Sequence, residues 1–164
     1  MKIYNAEDLL KISKNGMYEL VNDIDFSGST IKCIIDDFRG SLDGKGHVIK
    51  NIVIKKDIEY DEQIVSLINT MSGATLKNIT FENIIFKVHD KLYNPKVSIL
   101  CGECECSIVE NVSIRVDEQA IPMISLSNGS TYINCKCNGR KNKQLIGYSY
   151  LDKFFEWYRD YERR

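Results

Sequence analysis

Two runs of cysteine are the first places to look for chemistry in this chain: Cys101-Gly102-Glu103-Cys104-Glu105-Cys106 and Cys135-Lys136-Cys137. Brought together, they could offer four thiolates to a tetrahedral zinc ion. Yet Cys135 and Cys137 stand where comparable stretches of the chain place Ile, Val and Phe on an inward strand face. A free cysteine there serves as a small hydrophobe. Neither a metal nor a cofactor is therefore expected. Carboxylates are the second candidate, since two of them can bracket a glycosidic bond. Asp36, Asp37, Asp43, Asp57, Asp61, Glu62, Glu103 and Glu105 are scattered among turns and loops, and none recurs in register in neighbouring rungs. His47 lies inside a repeated phrase, and neither it nor His89 has an evident Ser or Cys partner. No catalytic residue is expected, and the chain reads as a non-enzyme.

The elements that must position these side chains come from a repeat. One phrase, apolar-x-Asn-apolar-x-apolar, occurs at Ile49-Lys50-Asn51-Ile52-Val53-Ile54, Leu76-Lys77-Asn78-Ile79-Thr80-Phe81, Val109-Glu110-Asn111-Val112-Ser113-Ile114 and Tyr132-Ile133-Asn134-Cys135-Lys136-Cys137. Val21-Asn22-Asp23-Ile24-Asp25-Phe26 repeats it with Asp in place of Asn. The alternation after the Asn is that of a strand with one buried face. Asn and Asp tolerate left-handed backbone and so suit a sharp bend. Stacked strands lie about 4.8 Å apart, which lets side-chain amides bond up a column. The expected structural column is Asp23, Asn51, Asn78, Asn111 and Asn134. It is flanked by inward rows of Ile24, Ile52, Ile79, Val112, Cys135 and of Phe26, Ile54, Phe81, Ile114, Cys137.

Gly46, Gly73 and Gly129 each precede an Asn by five places, with Cys106 at the matching site of the remaining repeat. Before each turn comes a short apolar strand: 38–42, 65–68, 97–101 and 123–126. Three strands per repeat predict an all-β fold, a right-handed parallel β-helix of about five rungs. An antiparallel sandwich is the competing fold, and the recurring Asn suits it poorly.

The stretch from Asp23-Ile24-Asp25-Phe26-Ser27-Gly28 through Phe38-Arg39-Gly40-Ser41-Leu42-Asp43-Gly44-Lys45-Gly46-His47-Val48-Ile49-Lys50-Asn51-Ile52 resembles the GLUG-type repeats of bacterial adhesins and IgA-peptidase-associated regions. Ala74-Thr75-Leu76-Lys77-Asn78-Ile79-Thr80-Phe81 resembles the second half of that repeat. The resemblance runs from about Asn5 to Ile114, and it implies the β-helical fold. It departs at Val65-Ser66-Leu67-Ile68-Asn69, which lacks the glycines of the family's Gly-apolar-apolar-Gly strand.

The chain is expected to form one domain over 1–164. An N-terminal cap helix within 1–16 is capped by Asn5, the solenoid covers 17–148, and a C-terminal helix covers 149–164. Leu151, Phe154, Phe155 and Tyr158 give the last helix an apolar face, leaving Trp157 and Tyr161 on its flank. Polar loops leave one corner at 55–63, 87–96, 115–120 and 138–143, and loops on a regular scaffold are where binding resides. Tyr60 and Tyr93 on two of them, with Trp157 and Tyr161, are the candidate partner-binding residues. The terminal helix is also a candidate homodimer contact.

A net charge of −1, with 43% hydrophobic and 27% charged residues, fits a folded globular chain and argues against electrostatic capture of nucleic acid. Neither a signal peptide nor a membrane span is expected, which with six cysteines points to reduced thiols and a cytoplasmic location. The leading expectation is a non-catalytic intracellular protein-binding module, a mobile-element-encoded inhibitor or adaptor acting on an unknown protein partner. One alternative is a carbohydrate-binding or carbohydrate-cleaving β-helix. Another is an inhibitor of a host nucleic-acid-handling or defence system acting through protein contacts.

Overall fold

A computed structural model describes residues 1–89, 95–116, 121–138 and 146–149. The described chain is mostly strand, with parallel sheets, one short helix and no closed barrel. In chain order come β1 (Lys2–Ile3), α1 (Ala6–Leu10), β2 (Met17–Leu20), β3 (Ile24–Asp25), β4 (Thr30–Ile31), β5 (Ile35–Phe38) and β6 (Ser41–Asp43). Then follow β7 (Val48–Asp57), β8 (Ile64–Val65), β9 (Ile68–Ser72), β10 (Thr75–His89), β11 (Lys96–Val97) and β12 (Cys101–Glu105). The last are β13 (Ile108–Arg115), β14 (Ile124–Asn128), β15 (Thr131–Ile133), β16 (Lys136–Cys137) and β17 (Ile146–Ser149).

The largest sheet runs β1-β2-β6-β10-β13-β15, with β16 on β13, β7 on β10, and β3 and β4 on β7. A second sheet runs β5-β9-β12-β14-β17, and β8 pairs β11 in a third. Parallel register stacks like on like. Tyr18, Leu42, Leu76 and Val109 form one buried row, and Ile24, Ile49, Phe81, Ile114 and Cys137 form another. Each such side chain contributes roughly 1.5–3 kcal/mol when fully buried, so the core is a set of rows rather than a central knot.

The rows differ from those expected. Ile52 lies beside Ile84, and Ile79 beside Val112, so Ile52 and Ile79 do not share a row. The reason is a second copy of the phrase on β10, Phe81-Glu82-Asn83-Ile84-Ile85-Phe86, and it is this copy that pairs with the Asn51 segment. The sequence-based alignment used the first copy and was out of phase there.

The described helix is only five residues long. Asn5 caps it by accepting from the Asp8 N–H at 2.9 Å, and the Asp8 carboxylate accepts from the Tyr4 N–H at 3.0 Å. Leu9 is buried but Leu10 is 43% exposed, so the amphipathic cap expected within 1–16 is not formed. Of the expected terminal helix, Ser149 instead ends β17, and 150–164 lie outside the described residues. Among the described residues no helix is long and apolar enough to cross a membrane.

Candidate recognition groove

Strand alternation sends every second residue of the β5-β9-β12-β14 sheet outward. The register places Asp37 beside Thr70, Thr70 beside Glu103, and Glu103 beside Leu126. One step on, Ser72 lies beside Glu105, and Glu105 beside Asn128. With Arg39 these side chains line an open groove of about 300 Å³, where Met71 and Cys104 also contribute. Asp37 and Glu103 share a column two strands apart, a backbone separation of about 9.6 Å at the usual strand spacing. The signal was present in the alternation, but the strand reached from 38 in the sequence reading begins at Ile35, which hid Asp37 from its column. Thr70, Ser72 and Asn128 carried no chemistry-bearing signature and were missed.

Two of the groove acids, Asp37 and Glu103, have cationic neighbours. Lys14 pairs with Asp37, and Arg39 Nε lies 3.6 Å from its Oδ1. The Lys14 hydrogen bond chiefly holds the Asp37 carboxyl below its ordinary range. Lys96 Nζ lies 3.1 Å from Glu103 and 3.2 Å from Glu62. Partial burial opposes its charge, but these two carboxylates outweigh that and raise the Lys96 pKa. Lys96 thereby ties the loop between β7 and β8 to the groove. Tyr60, on that loop, is 59% exposed. The other expected partner-binding residues, Tyr93, Trp157 and Tyr161, lie outside the described residues.

Beneath the groove the sheet's inner face changes character along the stack. Phe38 and Met71 are followed in the same row by Cys104 and Ser127. Ser127 Oγ meets the Tyr132 hydroxyl at 2.8 Å, and Ser130 Oγ donates to the Cys104 carbonyl at 3.0 Å. The Cys104 thiol is drawn down, first by the Cys101 thiol, against the opposing effect of burial. Cys101, Cys104, Cys135 and Cys137 are all buried, whereas Cys106 is exposed at a left-handed turn. Among the described residues no three Cys, His, Asp or Glu side chains gather as metal ligands.

The asparagines occupy a different face and form two columns. In the first, Asn134 donates to Asn111 at 2.8 Å, Asn111 to Asn78 at 3.0 Å, and Asn78 to the Asp43 carboxylate at 3.0 Å. In the second, Asn83 donates to Asn51 at 2.7 Å and Asn51 to Asp25 at 2.9 Å. Every one of these Asn residues has left-handed backbone, with φ between 51° and 58°, where Asn is among the least strained non-glycine residues. Asn51 therefore does not join Asn78, Asn111 and Asn134. Asp23 heads neither column: it accepts from the Val48 N–H at 3.0 Å and contacts His47 Nδ1 at 3.1 Å.

Comparison with protein families, curated proteins and solved structures found no match.

Proposed function

We propose that this chain is a right-handed parallel β-helix of about five rungs, akin to the GLUG-type repeats, that works as a non-catalytic protein-binding module. Its kind is that of an inhibitor or adaptor, and its recognition surface is the groove over β5, β9, β12 and β14 together with the Tyr60 loop. The observation that carries this reading is the Glu62–Lys96–Glu103 tie. It joins an exposed aromatic side chain to a face of in-register hydrogen-bonding groups, and tyrosine is favoured as an interface anchor. The non-catalytic part rests on the acids. A general acid needs a carboxyl that keeps its proton near neutral pH, whereas Lys14 and Arg39 favour ionised Asp37. An inhibitor of a host defence or nucleic-acid-handling system would use the same protein-binding surface.

Carbohydrate binding is the second reading, favoured by the hydroxyls of Thr70 and Ser72 and the amide of Asn128 within one groove. Cross-linking and affinity purification from the native host separates the two. The expected outcome is a protein cross-linked at the groove and lost from Tyr60→Ala and Ser72→Arg, with melting temperatures unchanged. Tyr60→Ala should cost about 2 kcal/mol of binding. Cross-links confined to other faces, or capture of glycan alone, would remove this reading.

A further inference from the structure

We infer that the groove and the Tyr60 loop receive an arginine-bearing segment of the protein partner. This rests on the protein-binding reading and narrows it to one chemistry. The groove has an uneven electrostatic structure. Asp37 is matched by Lys14 and Arg39 at one end, and Glu103 shares Lys96 with Glu62. Glu105, beside Glu103 on the same face, is exposed, and the hydrogen bond described for its carboxylate is a long one of 3.5 Å from Asn128 Nδ2. A guanidinium placed there would meet a carboxylate that has little interaction to surrender.

Two further features suit a long cationic side chain, and two more favour arginine. Leu126 supplies apolar surface in the same groove, against which the methylenes of a long side chain can pack. The groove is open and about 300 Å³ in volume, roomy enough for such a side chain. Tyr60 presents an exposed ring beside the exposed Glu59, so a second guanidinium could stack on the ring while its charge is offset. The planar fork of arginine matches a carboxylate through two parallel hydrogen bonds, which an ammonium cannot do.

Fluorescence anisotropy with labelled nona-arginine, nona-lysine and a neutral oligosaccharide tests this on the full chain. The arginine peptide should bind about tenfold tighter than the lysine peptide, and Glu105→Gln and Tyr60→Ala should each weaken it by about tenfold. Both variants should melt as the wild type does. Equal affinity for the two peptides, or indifference to Glu105→Gln, overturns the inference as mere charge attraction. A partner captured from the host that still binds Glu105→Gln at wild-type affinity also overturns it, yet leaves the protein-binding reading standing. Oligosaccharide binding with no peptide binding removes both.

Discussion

The asparagine columns and the groove are built by the same operation, the in-register stacking of parallel strands, and come out opposite in character. In the columns each polar side chain is consumed by its neighbour: amide donates to amide until a carboxylate, Asp43 or Asp25, ends the chain of donors. In the groove the neighbours in register are unlike, with Asp37 beside Thr70, and Glu103 beside Leu126. Such side chains complete one another only in part: Asn128 reaches Glu105 at a long 3.5 Å, and Asp37 and Glu103 turn to Lys14, Arg39 and Lys96. A column of identical amides is structural because it is self-satisfying. A column of mixed groups is available to something else.

The two regions meet at Gly40, between β5 of the groove sheet and β6 of the ladder sheet. A Cβ there would lie 2.0 Å from the Gly16 carbonyl oxygen, and backbone cannot yield as a side chain can. Gly40→Ala should therefore have the largest effect, a loss of about 3 kcal/mol at the upper end of overpacking costs. Chemical denaturation should show both regions disrupted together. A stability within 0.5 kcal/mol of wild type would mean that the corner is pliable.

Next in size is the ladder alone. Asn78→Leu removes both the bond to Asp43 and the bond from Asn111, at a residue with φ of 57°. A loss of about 2 kcal/mol is expected, and Asn78→Gly should recover the part due to backbone strain. An unchanged melting temperature in Asn78→Leu would show that the column contributes nothing and that the comparison fails.

Much of this frame is legible in the sequence, and the failures are instructive. Asn at a bend, alternation after it, and the inward place of Cys135 and Cys137 follow from local rules that the buried rows obey. Phase is harder to read. The phrase occurs twice on β10, five residues apart, and local chemistry cannot choose between Asn78 and Asn83 as the partner of Asn51. The choice is made by which apolar rows close, a non-local property. The same limit explains Asp23, displaced by two residues from Asp25, which has the same side chain and the same parity. The groove was less legible still. Thr70, Ser72 and Asn128 are ordinary outward strand residues, and only the register of four strands gathers them.

The smallest effect distinguishes how the two regions hold their acids. Asp25 is drawn down to about 2, chiefly by the Ser27 hydroxyl and then the Asn51 amide, with the Ser27 N–H adding to them. Asp37 is drawn down chiefly by the ammonium of Lys14. Neutral dipoles at hydrogen-bond distance are little screened by salt, whereas an exposed ion pair is. Carboxyl titration by NMR in low and in 0.5 M salt should leave Asp25 near its low value while Asp37 moves up toward the ordinary carboxylate range, where about 0.5 M gives a Debye length of only a few ångströms. The linkage has a definite sign. A carboxyl lowered by folding lends stability that is complete above its unfolded pKa of about 4, and that stability is lost as pH falls toward the folded value. In high salt, then, the acid-dependent loss between pH 4 and about 2 should persist in the wild type. It should shrink in Asp25→Asn, which keeps an acceptor for Asn51 but has no proton to take up. If Asp25 drifts upward with salt as Asp37 does, the foot of the ladder is an ion pair with Lys50, whose ammonium lies 4.0 Å away, and the distinction between the two regions is one of degree.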